Sequence, residues 1–97
     1  MTTITLSPQE CLFPLGTVDV ADAVNRTVPA EDVSAALARH ARGDWGDVSE
    51  EDEAQNDLSL MPHAGRLCSV YHDRYGVKFR IITDGDRSKT SILLARD

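Results

Sequence analysis

Apolar residues recur along this chain in rhythms that change with position. Between Ala30 and Arg42, the residues Val33, Ala36, Leu37 and His40 follow at three- and four-residue spacing, the mark of one buried helical stripe. Pro29 suits the first turn, Glu31 and Asp32 favour the positive end of the helix dipole, and Arg39 and Arg42 fall in the last turn. Gly43 then supplies a C-terminal cap. A second helix is predicted from Glu50 to Leu60. Ser49 with Asp52 three residues on forms a variant capping box, and Pro62 and Gly65 end the element. Ala54, Leu58 and Met61 are its expected inward face. The rhythm then shifts to two: Val77, Phe79 and Ile81 alternate with Lys78, Arg80 and Ile82. Three strands follow from this, Arg66 to His72, Val77 to Thr83 and Thr90 to Leu94. The turns Asp73-Arg74-Tyr75-Gly76 and Asp84-Gly85-Asp86-Arg87-Ser88 separate them.

The N-terminal quarter is less regular. Thr3 to Leu6 alternates briefly, as an edge strand or a loose tail. Leu12 to Val18 is apolar but holds Pro14, which lacks an N–H, so it reads as an edge strand or an extended lead-in. Asp19 to Asn25 reads as a short helix. The expected class is therefore α+β: two or three N-terminal helices followed by a three-stranded antiparallel β-meander, because short turns join antiparallel neighbours. Helices packed on one sheet face leave the other face partly open. Residues 1–97 make one small domain, with residues 1–11 as a loose N-terminal tail or an edge strand.

Composition narrows the function classes. The net charge of −6 argues against a domain whose main affinity is for nucleic-acid phosphate. The charge is also uneven, −9 from Glu10 to Asp57 and +3 from Arg66 to Asp97. No apolar run reaches the ~18–20 residues of a membrane span. Met1-Thr2-Thr3-Ile4-Thr5 lacks a basic n-region, so a cytoplasmic setting is expected, with Cys11 and Cys68 as free thiols.

The chemistry-bearing residues are few. No pair among His40, His63, His72, Cys11 and Cys68 has zinc-site spacing; Cys68 and His72 in a strand lie about 13 Å apart. Neither a metal nor a cofactor is expected. No serine stands in a nucleophile motif, and Cys68 reads as packing. His40, Asp44, Trp45 and Asn56 are placed to meet between two helices. They form either a small acid–base pocket or a structural joint in which His40 bonds a turn carbonyl, Asp44 caps backbone N–H groups and Trp45 plugs the gap. Asp86-Arg87-Ser88 with Thr90 either binds a phosphate or carboxylate or stabilises its own turn. From Asp44 to Asp57 the chain holds seven acids and no base. That segment is either a solvated helix face or a surface that fits a basic groove on a nucleic-acid-handling protein.

Five segments carry a resemblance. Phe13-Pro14-Leu15-Gly16; Arg39-His40-Ala41-Arg42-Gly43-Asp44-Trp45-Gly46; Glu51-Asp52 with Asn56-Asp57; Gly65-Arg66-Leu67 with Ser69 and Tyr71; and Ile81-Ile82-Thr83 with Asp86-Arg87-Ser88 and Thr90 are similar to those of small, uncharacterised bacterial plasmid-related proteins. Some of those proteins are labelled after restriction–modification neighbours. The chain departs from them at Arg80, where an aromatic residue is usual, and at Ala95-Arg96-Asp97. The resemblance implies a mobile genetic element and no particular reaction.

The expectation is then a small, acidic, non-enzymatic interaction protein that inhibits a host defence complex of the restriction or CRISPR type. Its binding face would be Asp44, Trp45, Asp47, Glu50, Glu51, Glu53 and Asp57, and its partner a basic, nucleic-acid-handling protein. The alternative rests on a likeness of architecture to small ribosome-dependent ribonuclease toxins. There the basic sheet face, with Arg66, Arg74, Lys78, Arg80, Arg87 and Lys89, holds RNA or a phosphorylated ligand, and Tyr71, His72 and Tyr75 supply proton transfer or stacking. A homodimer through sheet pairing is a third reading.

Overall fold

The helical stripe from Val33 to His40 and the alternation around Phe79 both become regular elements. The computed structural model describes residues 11–60 and 65–95. In chain order it contains β1 (Thr17–Val20), α1 (Asp22–Thr27), α2 (Ala30–Ala41), α3 (Glu50–Ser59), β2 (Leu67–His72), β3 (Lys78–Thr83) and β4 (Lys89–Leu94). In α2 the residues Val33, Ala36, Leu37, His40 and Ala41 are buried, Pro29 stands at the N-cap and Arg42 at the C-cap. The expected edge strand or tail at Thr3–Leu6, and the expected inward position of Met61, lie outside the described residues.

The sheet has four strands in the order β1-β4-β3-β2. The β2–β3 and β3–β4 pairs are antiparallel, as a meander requires, but β1 runs parallel to β4, from Thr17 opposite Lys89 to Val20 opposite Ile92. The three-stranded antiparallel sheet of the sequence reading is thus corrected to a mixed, four-stranded one. The short helix placed at Asp19 also starts later, at Asp22. Val18 and Val20 alternate with exposed Thr17 and Asp19 and pack against the core, so the ladder to β4 holds this segment extended as far as Ala21. Gly16 has φ +65°, and a Cβ there would lie 2.3 Å from the Ser88 carbonyl, so only glycine lets the strand start this close to β4.

α1 and α2 cover one face of the sheet. Val24, Val28, Val33 and Leu37 pack with Tyr71, Phe79, Ile81 and Ile92 from the strands. A second cluster, Phe13, Trp45 and Leu67, lies where the N-terminal segment and the α2–α3 turn meet β2. The opposite face is not covered by α1 or α2. Its register brings Cys68 beside Ile82, Val70 beside Arg80, and Arg80 beside Leu93.

α3 corrects another expectation. Its buried residues are Asn56 and Ser59, whereas Ala54 is exposed and Leu58 is 64% exposed. The helix meets the sheet through hydrogen bonds to the outer edge of β2, so no apolar stripe marks its contact side. The Asn56 amide donates to the Cys68 carbonyl at 2.7 Å and accepts from the Cys68 N–H at 3.1 Å. Beside it, the Val70 N–H donates to the Trp45 carbonyl and the Asp47 N–H to the Val70 carbonyl, a parallel bridge centred on Gly46. The β2 edge is thereby closed against further strand pairing.

Candidate functional site

The hydroxyls of β2, β3 and β4 that face α2 are joined by His40. Its Nδ1 lies 2.5 Å from Ser69 Oγ and its Nε2 lies 2.9 Å from Thr83 Oγ1; Thr83 Oγ1 is 2.8 Å from Thr90 Oγ1, which donates to the Leu15 carbonyl at 2.6 Å. A carbonyl only accepts, and that orients each proton as far as His40 Nε2, while the neutrality of the buried ring sets Nδ1. Thr90 gives its hydrogen to Leu15, so Thr83 must donate to Thr90. His40 Nε2–H then donates to Thr83, and Nδ1 accepts from Ser69. The imidazole is neutral, and burial, with the Arg87 guanidinium as a lesser contributor, lowers its pKa to about 3.

A serine hydroxyl against an imidazole is also how a nucleophile meets its base. Here, however, His40, Ser69, Thr83 and Thr90 are all buried, so the pair is closed to substrate. The network joins the helix layer to three strands and to the N-terminal segment. Of the four residues expected to meet, His40 and Trp45 do, with ring centroids 5.6 Å apart. His40 bonds hydroxyls instead of a turn carbonyl. Asn56 bonds β2, and Asp44 pairs with Arg39 at 2.8 Å while also accepting from the Gly46 N–H.

The acidic set divides in two. Trp45 is 3% exposed, packed between Phe13 and His40, and its Nε1–H donates to Asp57 at 3.0 Å. It latches α3 from inside and is not a surface anchor, which corrects that assignment. Asp57 is the acceptor of the latch. Asp44 is held by Arg39, which keeps its carboxyl below the usual range, and Asp47 accepts from His72 Nδ1 at 2.7 Å. Glu50, Glu51 and Glu53 remain exposed on α3, and among the described residues they have neither an ion pair nor a side-chain hydrogen bond.

The basic set also divides. Lys78, Arg80 and Lys89 lie on the open sheet face, and Lys89 faces Asp19 at 3.8 Å. Arg87 does not belong there, which is a second correction. At φ 63° its side chain turns toward the end of α3, where Nη1 donates to the Gly65 carbonyl at 2.7 Å and Nη2 to the Ser59 carbonyl. It lies over the Phe13 ring and supplies the cation that α3 lacks in its own last turn. Asp86 accepts from the Ser88 N–H and hydroxyl, which lowers its pKa, so the Asp86-Arg87-Ser88 segment stabilises its own turn. Tyr71 is buried and donates to the Asp44 carbonyl at 2.7 Å. Arg74 clamps Asp32 at 2.7 Å and so ties the β2–β3 turn to α2.

A groove of about 350 Å³ lies between α3 and the open sheet face. Asp52 and Gln55 line it from the helix, and Arg66, Cys68, Val70 and Arg80 from the sheet side. Sequence reasoning missed this groove. Its walls come from two separate segments, and the side of α3 that turns inward carries no apolar pattern. Burial pushes the Cys68 thiol up, away from a reactive thiolate. Among the described residues no group of three or more His, Cys, Asp or Glu is placed to hold a metal ion, and no helix is long and apolar enough to cross a membrane. Comparison with models of protein families, with curated proteins and with solved structures finds no match to this chain.

Proposed function

We propose that this chain is a non-enzymatic binding protein that engages a basic, nucleic-acid-handling partner through the outward side of α3. The observation that carries the reading is the state of Glu50, Glu51 and Glu53. All three are exposed on a helix already fixed by Asn56, Ser59 and the Trp45–Asp57 latch, and no cation of the described chain answers them. A fixed helix loses little backbone freedom on docking, and the charge of its unpaired carboxylates steers encounter with a basic surface. The exposed Ala54 and Leu58 add an apolar element to the same helix. In the specific form of the proposal, the partner is a host defence nucleoprotein complex of the restriction or CRISPR type. The resemblance to mobile-element proteins supports that partner class.

The test is capture of partners on the tagged protein from host lysate at low and moderate salt, in parallel with the Glu50→Lys, Glu51→Lys, Glu53→Lys variant. The reversal removes favourable helix-dipole contacts of about 0.3–1 kcal/mol each. Its fold must therefore be checked by circular dichroism. The expected outcome is a basic nucleic-acid-handling protein retained by the wild type, released as salt rises and absent from the folded variant. Equal retention by both proteins would sink the proposal.

A further inference from the structure

Four cations of this chain are held by acceptors: Arg39 has Asp44, Arg74 has Asp32 and Glu31, Lys89 has Asp19, and Arg87 has backbone carbonyls. Among the described residues Arg26, Arg42, Arg66 and Arg80 have no ion pair or side-chain hydrogen bond, although the chain carries 16 acids, and two of these four, Arg66 and Arg80, come together. Both line the groove between α3 and the open sheet face. Arg80 Nε is buried without a hydrogen-bond partner. A buried N–H of a guanidinium left unsatisfied carries the full cost of its desolvation, which a bound acceptor would offset. Asp52 lines the same groove and bonds neither arginine, so the three groups together leave a net positive site.

We propose that this groove binds a phosphate monoester, with Arg66 and Arg80 as its two anion-binding residues. A carboxylate offers two oxygens, and a single bidentate guanidinium occupies both. A phosphate monoester offers three terminal oxygens and up to two charges, enough to engage both arginine forks at once. Asp52 and Gln55 stand on the helix side, where an acceptor and an amide suit the hydroxyls of the esterified group. The groove's volume of about 350 Å³ lies at the small end of sites for compact organic ligands. Glu50, Glu51 and Glu53 are not among its lining residues, so the site does not depend on α3 having a protein partner.

The experiment is titration of the ¹⁵N-labelled protein with inorganic phosphate, glycerol 3-phosphate and acetate at matched ionic strength, following the Arg80 Nε–H and Cys68 amide resonances. Saturable shifts with both phosphates are expected, with acetate weaker by about tenfold or more. Glycerol 3-phosphate binding tighter than inorganic phosphate would place the organic group in the groove. Arg66→Met and Arg80→Met should each weaken binding by about tenfold, and Arg42→Met, outside the groove, should leave it unchanged. Arg66 is exposed, so its variant decides the matter if Arg80→Met does not fold. An equal response to all three anions, or phosphate affinity unchanged in a folded arginine variant, would overturn the proposal.

Discussion

At the residue scale the most informative group is His40, because its tautomer is dictated by a carbonyl it never touches and its neutrality by burial. Leu15 accepts, and each hydroxyl in turn is oriented until only the Nε2–H tautomer fits. The pH dependence of folding follows from the same geometry. The folded pKa of about 3 lies below the 6.5 of a free imidazole, so between those values the unfolded chain binds the extra proton. Stability is therefore full above pH 6.5 and falls as pH drops toward 3, by at most about 1.4 kcal/mol per pH unit. The lowered carboxyls of Asp32, Asp44 and Asp86 act in the same direction from about pH 5 downward, as the unfolded carboxyls begin to take up protons, which leaves about pH 6.5 to 5 to the imidazole. Urea unfolding of wild type and His40→Gln across that range should show the slope in the first and a flat line in the second. A slope surviving in the variant would assign it elsewhere. Gly46 makes a second point at this scale. At φ 73°, a Cβ there would lie 2.1 Å from the Val70 carbonyl, so Gly46→Ala should cost about 3 kcal/mol or more and open the β2 edge. A melting temperature within a few degrees of wild type would contradict this.

At the scale of elements, α3 shows how a helix can be fixed without an apolar face. Asn56 supplies the donor and the acceptor that the Cys68 peptide needs, so the two possible substitutions differ in kind. Asn56→Ala removes both bonds and should cost about 1–3 kcal/mol. Asn56→Asp keeps an acceptor for the Cys68 N–H but turns a charged oxygen against the Cys68 carbonyl, so at pH 7 it should cost more than alanine. Protonation restores the donor, and the new carboxyl, buried against a carbonyl, has a raised pKa. Its penalty relative to wild type should shrink as pH falls toward 4. Chemical denaturation at both pH values checks the sign, and a penalty independent of pH would refute this account. The same docking explains what could be read from sequence. α2 and the β2–β3–β4 meander were legible because their burial follows an apolar period. α3 was legible as a helix from its capping serine, but its orientation was not, since polar atoms hold it. An edge strand was legible over Leu12 to Val18, but its extension to Val20 and its parallel pairing with β4 were not, because that partner lies some seventy residues along the chain and only four residues pair. The inward turn of Arg87 was missed because a left-handed arginine carries no sequence signal.

At the scale of the whole molecule, charge and topology together bear on self-association. Two surfaces invite it, the open sheet face and the outer edge of β1, which no described strand pairs. On the open face Val70, Ile82 and Leu93 are surrounded by Lys78, Arg80 and Lys89, so two such faces brought together confront cation with cation. On the β1 edge an antiparallel copy brings the two Asp19 side chains close, over a strand of only four residues. Like charges a few ångströms apart at a protein surface repel by up to a few kcal/mol at low salt, and the Debye length shortens from about 30 Å at 0.01 M to about 3 Å at 1 M. The chain should therefore sediment as a monomer near 20 mM salt, with any pairing through the open face appearing only near 1 M. Acidic α3 borders that basic face, and it is positioned to oppose a copy's cations only if the faces slide past register. A salt-sensitive dimer already present at 20 mM would mean that this offset contact forms. Glu50, Glu51 and Glu53 would then have their partner in a second copy of the chain, and the reading of α3 as a surface for a foreign basic protein would fall with it.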